Sequence, residues 1–303
     1  MKLRTTDECM RNAWRAGLVI PAFNIPYLPM MEAVVRALRD TKCFGMVTVA
    51  RLEWIKFGAQ SMEAVYGEYE RVKDERYVRL HLDHVPVIDE DGLRVDFKST
   101  IKRAIHLGYQ SVMVDGSRLS LQENIRATKE IAEMAHAAGI PVEGELGAVL
   151  GHEAGPLPPY DELWATGKGF TDPLEAKLFV SETSVDWLSV AVGNVHGAIS
   201  GVAREAKKVE ARLSIDHLKR ISEAVAIPLV LHGGTGIKKE HILAAVRHGI
   251  AKINVGMGIR QPYEAASKES PTTGQEAVYT ATVRVVTEEL EMAGSVDKID
   301  PQI

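Results

Sequence analysis

The stretch Gly17-Leu18-Val19-Ile20-Pro21-Ala22-Phe23-Asn24 decides between two architectures. Its apolar residues fall on both alternating faces, which marks a strand buried on both sides in a parallel sheet. An open doubly wound sheet usually follows its first strand with a Gly-rich turn. Here the strand ends in Pro-Ala-Phe-Asn, which is no such turn. Working outward from this strand at 17–22, similar runs recur at 45–50, 77–82, 110–114, 140–146, 186–192, 227–231 and 250–255. Between them lie helical stretches with their own signals. Met31, Val34, Val35 and Leu38 form one apolar stripe at helical spacing. Ser120 with Glu123 predicts a capping box, and Gly139 closes that helix. Asp172 before Pro173 predicts a helix start, as does Ser214. Thr273 with Glu276 predicts another capping box, with Gly294 ending the final helix. Eight strand–helix units in unbroken series predict a single (β/α)8 TIM barrel domain over residues 1–303.

Bulk properties bound the function. The chain is 46% hydrophobic and 25% charged, ordinary globular composition with length enough for a sizeable core. A net charge of −5 argues against a general nucleic-acid binder. Cys9 and Cys43 make neither a disulfide framework nor a thiolate metal site. The first residues turn polar at once, unlike a secretory signal, and no apolar run is long enough for a bilayer. The expectation is a soluble cytoplasmic protein without nucleic-acid or membrane partners.

The informative polar residues sit at strand ends, which in a barrel converge on one rim. The third strand leads into His81, Asp83 and His84. The fifth carries Glu143 and Glu145, the sixth runs into His196, the seventh into His232, and the eighth ends at Asn254. Histidines and carboxylates from separate strands are what a divalent metal requires, and imidazole suits zinc. His106, His136, His152, His217, His241 and His248 fall on helices or loops and are read as structural. Gly233-Gly234-Thr235 after the seventh strand can turn backbone N–H groups and a hydroxyl toward an anion. With Asn254 beside it, this is where barrel enzymes often hold a phosphate. The segments 147–170 and 193–213 are longer than ordinary connections and lie on the same face, as lids do.

Pro21-Ala-Phe-Asn24, Asp83-His84, Met113-Val-Asp-Gly-Ser117, Val142-Glu-Gly-Glu-Leu-Gly147, Phe170-Thr-Asp-Pro173, Gly193-Asn-Val-His-Gly197 and Leu231-His-Gly-Gly-Thr-Gly236 come in this order along the chain. Together they resemble the class II fructose-bisphosphate/tagatose-bisphosphate aldolase family over nearly the whole sequence. The resemblance implies that His84, His196 and His232 bind the metal, with Glu145 a carboxylate near it that is a ligand in some members. It implies Asp83 as acid/base at the C4 oxygen and Glu153 as the group moving a proton at C3. Gly197, Gly233, Gly234, Thr235 and Asn254 would surround the ketose phosphate; Asn24 and Arg260 would reach its distal part, Arg260 toward a neighbouring subunit. Zinc, or another divalent ion such as cobalt or manganese, is implied, with a monovalent cation as a further candidate. A homodimer or homotetramer acting on a sugar phosphate is implied as well.

The chemistry is coherent. Cleaving the C3–C4 bond of a ketose leaves an enediolate, whose charge a metal on neutral histidines can absorb. A base must take the C4–OH proton, and a carboxylate on a mobile loop can return one at C3. One difficulty is steric: on a regular strand Asp83 and His84 point to opposite faces, so both serve one site only if the strand turns or bulges. Departures from the family pattern concern specificity. Ile199-Ser200 stand where Tyr-Lys is common, and Val255-Gly256-Met257 follow Asn254 where a threonine is expected. Arg51 stands where many members have serine, a new cation that could face the substrate. Fructose 1,6-bisphosphate is therefore expected to be a poor substrate. Rival readings are an aldolase for an unphosphorylated or acidic ketose, a metal-dependent isomerase or epimerase, and a non-catalytic sugar-binding protein. Asp83 and Glu153 beside a full ligand set argue against the last.

Overall fold

The computed structural model describes residues 3–149, 160–196 and 211–301. Its strands are β1 (Ile20–Asn24), β2 (Gly45–Ala50), β3 (Val78–Pro86), β4 (Ser111–Asp115), β5 (Val142–Leu146), β6 (Trp187–Val190), β7 (Leu229–Leu231) and β8 (Ile250–Val255). They pair in parallel, each with the next, and β1 pairs with β8 through Ala22 and Asn254, closing the barrel. This is the (β/α)8 barrel expected from the alternation of apolar runs and helices. Among the described residues no helix is long and apolar enough to cross a membrane.

Among the described residues two apolar clusters hold the fold. The larger joins the outward faces of the strands, such as Val47, Leu80, Val112 and Leu188, to the inward faces of the helices, such as Val34, Leu38, Ile101 and Ile221. The smaller plugs the bottom of the barrel. There Cys9, Met10 and Ala13 pack with Ile20, Phe44, Met46 and Trp187, and Val296 and Ile299 complete the seal. The first three residues belong to the helix Thr6–Arg15, opened by a capping box between Thr5 and Glu8. Trp187 is fully buried, so truncating it to alanine is expected to cost roughly 3–5 kcal/mol.

The helix boundaries follow the predicted caps with one difference. Ser120 and Glu123 form the expected box, Asp172 caps Pro173–Thr183, and Ser214 precedes Ile215–Val225. The last long helix begins at Pro271, capped by Ser270, rather than near Thr273. A serine that accepts the Thr273 N–H, followed by proline at the first helical position, outcompetes the later start. That helix passes at Val285–Glu289 into a wider π turn before reaching Gly294.

Above the apolar plug, the barrel interior turns polar. Thr48, His81, Asp83, Ser111, Glu143, Ser189 and Lys252 are all completely buried. β3 departs from regularity here. Leu82 pairs with Val112 and Val85 with Val114, so Asp83 and His84 together oppose Met113. This bulge, with His84 at φ +27°, turns both side chains to the site. It removes the steric difficulty posed by a regular strand.

Candidate active site

Three imidazoles meet at the rim, from the β3 bulge, the segment after β6 and the end of β7. Candidate ligand atoms of His84, His196 and His232 lie within 4.8 Å of one another. Each ring has an oxygen on one nitrogen. His84 Nδ1 is 3.2 Å from Asp115 Oδ2, His196 Nδ1 is 3.1 Å from the Val149 carbonyl, and His232 Nε2 is 2.7 Å from Glu143 Oε1. A carbonyl or carboxylate only accepts, so in each case the ring donates N–H and its other nitrogen carries the lone pair. His84 Nε2 and His232 Nδ1 then face each other at 2.6 Å. Two lone pairs at that distance repel unless a cation, either a proton or a metal, stands with them. The donor set thus fits a divalent metal held by neutral imidazoles with oxygen partners behind them.

The charge state without metal says the same. Burial alone would lower the His84 pKa, but the charges of Asp83, Asp115 and Glu145 raise it to about 10. His232 is lowered, by burial and then by its cationic neighbour His84. A cation is therefore favoured at the point where the rings meet.

Glu145 lies on the other side of the His84 ring, 3.7 Å from Nδ1, and with Asp115 forms a second close group around that ring. Burial and the nearby Asp115 push its carboxyl well above the usual range, and Oε2 has no hydrogen-bond partner among the described residues.

Asp83 is held by two amides. Its Oδ2 accepts from Asn24 Nδ2 and from Asn254 Nδ2, each at 2.9 Å. Burial would raise its pKa, yet the charges of His84, His232 and Lys252 lower it on balance, so the carboxylate is ionised and able to accept a proton.

Beneath it, Lys252 donates to Glu143 Oε2 at 2.7 Å and stands 3.9 Å from Asp83 Oδ1. Burial, and then the charge of Lys252, lower the pKa of His81, which bonds Ser111 at 2.8 Å. Burial works against ionisation of Glu143, but Lys252 and His232 bring it down to about 2. Lys252 was not singled out from sequence, although it lies two residues before Asn254 and so shares its strand face. Asp115 and Glu143 likewise emerge here as partners of histidines.

A cavity opens above these groups. Its wall includes Asn24, Asp83, His84, His196, His232, Gly233, Thr235, Asn254 and Arg260. It also includes Glu53, which the sequence reading did not mark. Gly233 has φ +65°, and a Cβ there would meet the Val195 carbonyl at 2.2 Å, so only glycine fits. Gly234 lies off this wall, its N–H donating to the Asn254 carbonyl at 3.0 Å. Thr235 Oγ1 accepts from the Gly258 N–H. Arg260 is on the wall and bonds both oxygens of Glu264, at 2.9 and 3.1 Å. Arg51 is off the wall and faces Asp89 at 3.5 Å. Glu153 and Gly197 lie outside the described residues.

A parallel barrel with three convergent imidazoles and a clamped carboxylate at its C-terminal rim defines a metal-dependent lyase of the aldolase class. Comparison with known proteins agrees. The family described as class-II fructose-bisphosphate aldolase matches residues 4–298. A fructose-bisphosphate aldolase of Geobacillus stearothermophilus is 32% identical over 271 residues, covering 89% of this chain and 86% of that protein. A probable fructose-bisphosphate aldolase of Bacillus subtilis is 33% identical over 260 residues, covering 84% and 81%. The crystal structure of the YdjI aldolase from Escherichia coli K12 superposes with a TM-score of 0.74 at 26% identity, covering 97% of this chain and 99% of that one. The chain belongs to the class II fructose-bisphosphate aldolase family. It is a metal-dependent aldolase that cleaves a ketose phosphate.

Proposed function

We propose that this aldolase is a cytoplasmic homodimer or homotetramer, one barrel domain per chain. It reversibly cleaves a ketose 1-phosphate to dihydroxyacetone phosphate and an aldehyde, and fructose 1,6-bisphosphate is a poor substrate. His84, His196 and His232 hold the metal, for which zinc fits the imidazole set best, with cobalt or manganese as substitutes. The observation that carries this reading is the orientation of the three rings, each anchored through one nitrogen and presenting the other to a common point.

When bound, the metal supplies Lewis-acid stabilisation of charge developing on the ketone half. The remaining work is done by side chains. Asp83, fixed by Asn24 and Asn254, takes the C4–OH proton as the C3–C4 bond breaks. Glu153 is assigned the return of a proton at C3. Gly233, Thr235 and Asn254, with Gly234 shaping the turn, are assigned to the phosphate of the ketone half, and so is Gly197 on the family resemblance. Asn24 and Arg260 belong to the aldehyde half. Arg51, a candidate for the distal group, is turned to Asp89 and stands off the cavity wall.

The test is metal content together with cleavage of a panel of ketose phosphates. Wild type should carry about one divalent ion per chain and release aldehyde, and the His84/His196/His232 triple alanine variant should lose both. Full metal content in the triple variant would contradict the ligand assignment.

A further inference from the structure

The cavity has two ends. Gly233, Thr235 and Asn254 line one. The other lies beyond Asp83, where Ala50 ends β2 and Leu52, Glu53 and Phe57 follow it. Ala50 pairs with Asp83 across the β2–β3 ladder, so this wall adjoins the carboxylate assigned to the C4 oxygen. With the ketone half at the first end, the aldehyde half reaches the second.

Charge at the second end is arranged unfavourably for an anion. Arg260 is bonded by Glu264, Lys56 is 2.7 Å from Glu90, and Arg51 faces Asp89. Each of these cations has a carboxylate partner within 3.5 Å. Glu53 adds a further carboxyl group, only 6% exposed, to the wall itself. Its Oε2 accepts the Ala50 N–H at 2.8 Å, and the Asn24 amide that clamps Asp83 also favours its charged form, though less than burial opposes it. A dianion placed here would lose its hydration against a buried carboxyl, with nearby cations already paired.

We propose that Glu53 is the specificity-determining residue of this enzyme, selecting aldehydes that end in a hydroxyl group over aldehydes that end in a phosphate. Burial, as the largest cause, raises its pKa to about 8, so near neutrality it carries a proton to donate. A sugar hydroxyl both donates and accepts, and matches such a group in either protonation state. The assignment rests on the aldolase reading of the triad and Asp83, and it names the aldehyde class which that reading leaves open.

The experiment uses zinc-loaded enzyme in the condensation direction. Dihydroxyacetone phosphate is supplied with glyceraldehyde or with glyceraldehyde 3-phosphate, and kcat/KM is measured for wild type, Glu53→Gln and Glu53→Ser. Wild type should favour glyceraldehyde by at least ~10-fold, a modest figure for a site built to bond a hydroxyl. Glu53→Ser, which withdraws the group from the wall, should move the ratio toward glyceraldehyde 3-phosphate by at least ~10-fold, mainly in KM, whereas Glu53→Gln, which keeps a donor and an acceptor as the protonated carboxyl does, should hold the wild-type ratio. Preference of wild type for the phosphorylated aldehyde, or an unchanged ratio in Glu53→Ser, overturns the assignment. If neither variant folds, the wild-type ratio alone decides. Exchange of the C3 proton of dihydroxyacetone phosphate with deuterium is followed in parallel. Exchange with the wrong aldehyde preference defeats the role of Glu53 alone. Absence of both exchange and condensation defeats the aldolase reading and this assignment with it.

Discussion

The two ends of the cavity are built on opposite principles. Around the triad, polar groups support one another in chains: Lys252 to Glu143 to His232, and Asn24 with Asn254 to Asp83. Each link fixes a tautomer or a rotamer while leaving the reactive atom turned to the site. Beyond Asp83, the cations are each held by carboxylates of this chain. Arg260 with Glu264, Lys56 with Glu90 and Arg51 with Asp89 satisfy each other and present little charge to a ligand. The difference teaches that the catalytic step and the choice of aldehyde are separable in this fold. The first depends on groups inside the barrel, the second on a short helix after β2.

The comparison can be broken at several points. The largest effect is expected inside the barrel. Glu143→Ala removes the acceptor behind His232 and leaves Lys252 buried without its nearest carboxylate. Metal affinity should fall about 10–100-fold, as for outer partners of metal-binding histidines. Titration of the apo-enzyme with zinc against a competing chelator measures it, and unchanged affinity would show that the chain from Lys252 has no bearing on the metal.

At the distal end, stability should respond to pH through Glu53. Its folded pKa of about 8 exceeds the ordinary 4.5. Below 4.5 both folded and unfolded states hold the proton and nothing is lost. As pH rises toward 8 the unfolded chain ionises while the folded chain resists, so stability falls. Glu53→Gln removes this loss. Its stability relative to wild type should improve by at least ~1 kcal/mol between pH 5 and pH 8, given about 1.4 kcal/mol per pKa unit. Equal pH profiles in urea unfolding would show that the carboxyl is ionised in the fold.

The smallest effect is expected at Arg51. Its partner Asp89 lies off the cavity wall, so Arg51→Ala should change kcat/KM by less than about 2-fold and stability by roughly 0–1 kcal/mol. A loss of ~10-fold or more in kcat/KM, with stability unaltered, would return Arg51 to the substrate.

Much of the architecture was legible because a parallel barrel writes itself plainly. Its strands are buried on both faces, and its functional residues must fall where strands end. His84, His196 and His232 could be found by position alone. Other features were hidden for physical reasons. The β3 bulge depends on the ladder to Met113, which no local pattern reveals. Lys252 is a charged residue, which defaults to the surface unless paired, and its pairing with Glu143, a residue already marked at the end of the fifth strand, is a tertiary fact. Glu53 sits on the six-residue helix Arg51–Lys56, too short for a clear periodic signal. The N-terminal helix that plugs the barrel bottom precedes the first strand and lies outside the repeating units.

The central claim is that Asp83, clamped by Asn24 and Asn254, moves the C4–OH proton, while exchange at C3 needs only the metal centre and another group. One variant tests it with two readouts. In zinc-loaded Asp83→Ala, release of aldehyde from a ketose 1-phosphate should slow by at least ~10²-fold, the usual scale for loss of an acid or base. The same sample should still exchange the C3 proton of dihydroxyacetone phosphate with deuterium at a rate near wild type. Aldehyde release at the wild-type rate, or loss of both reactions together with metal content unchanged, would contradict the account.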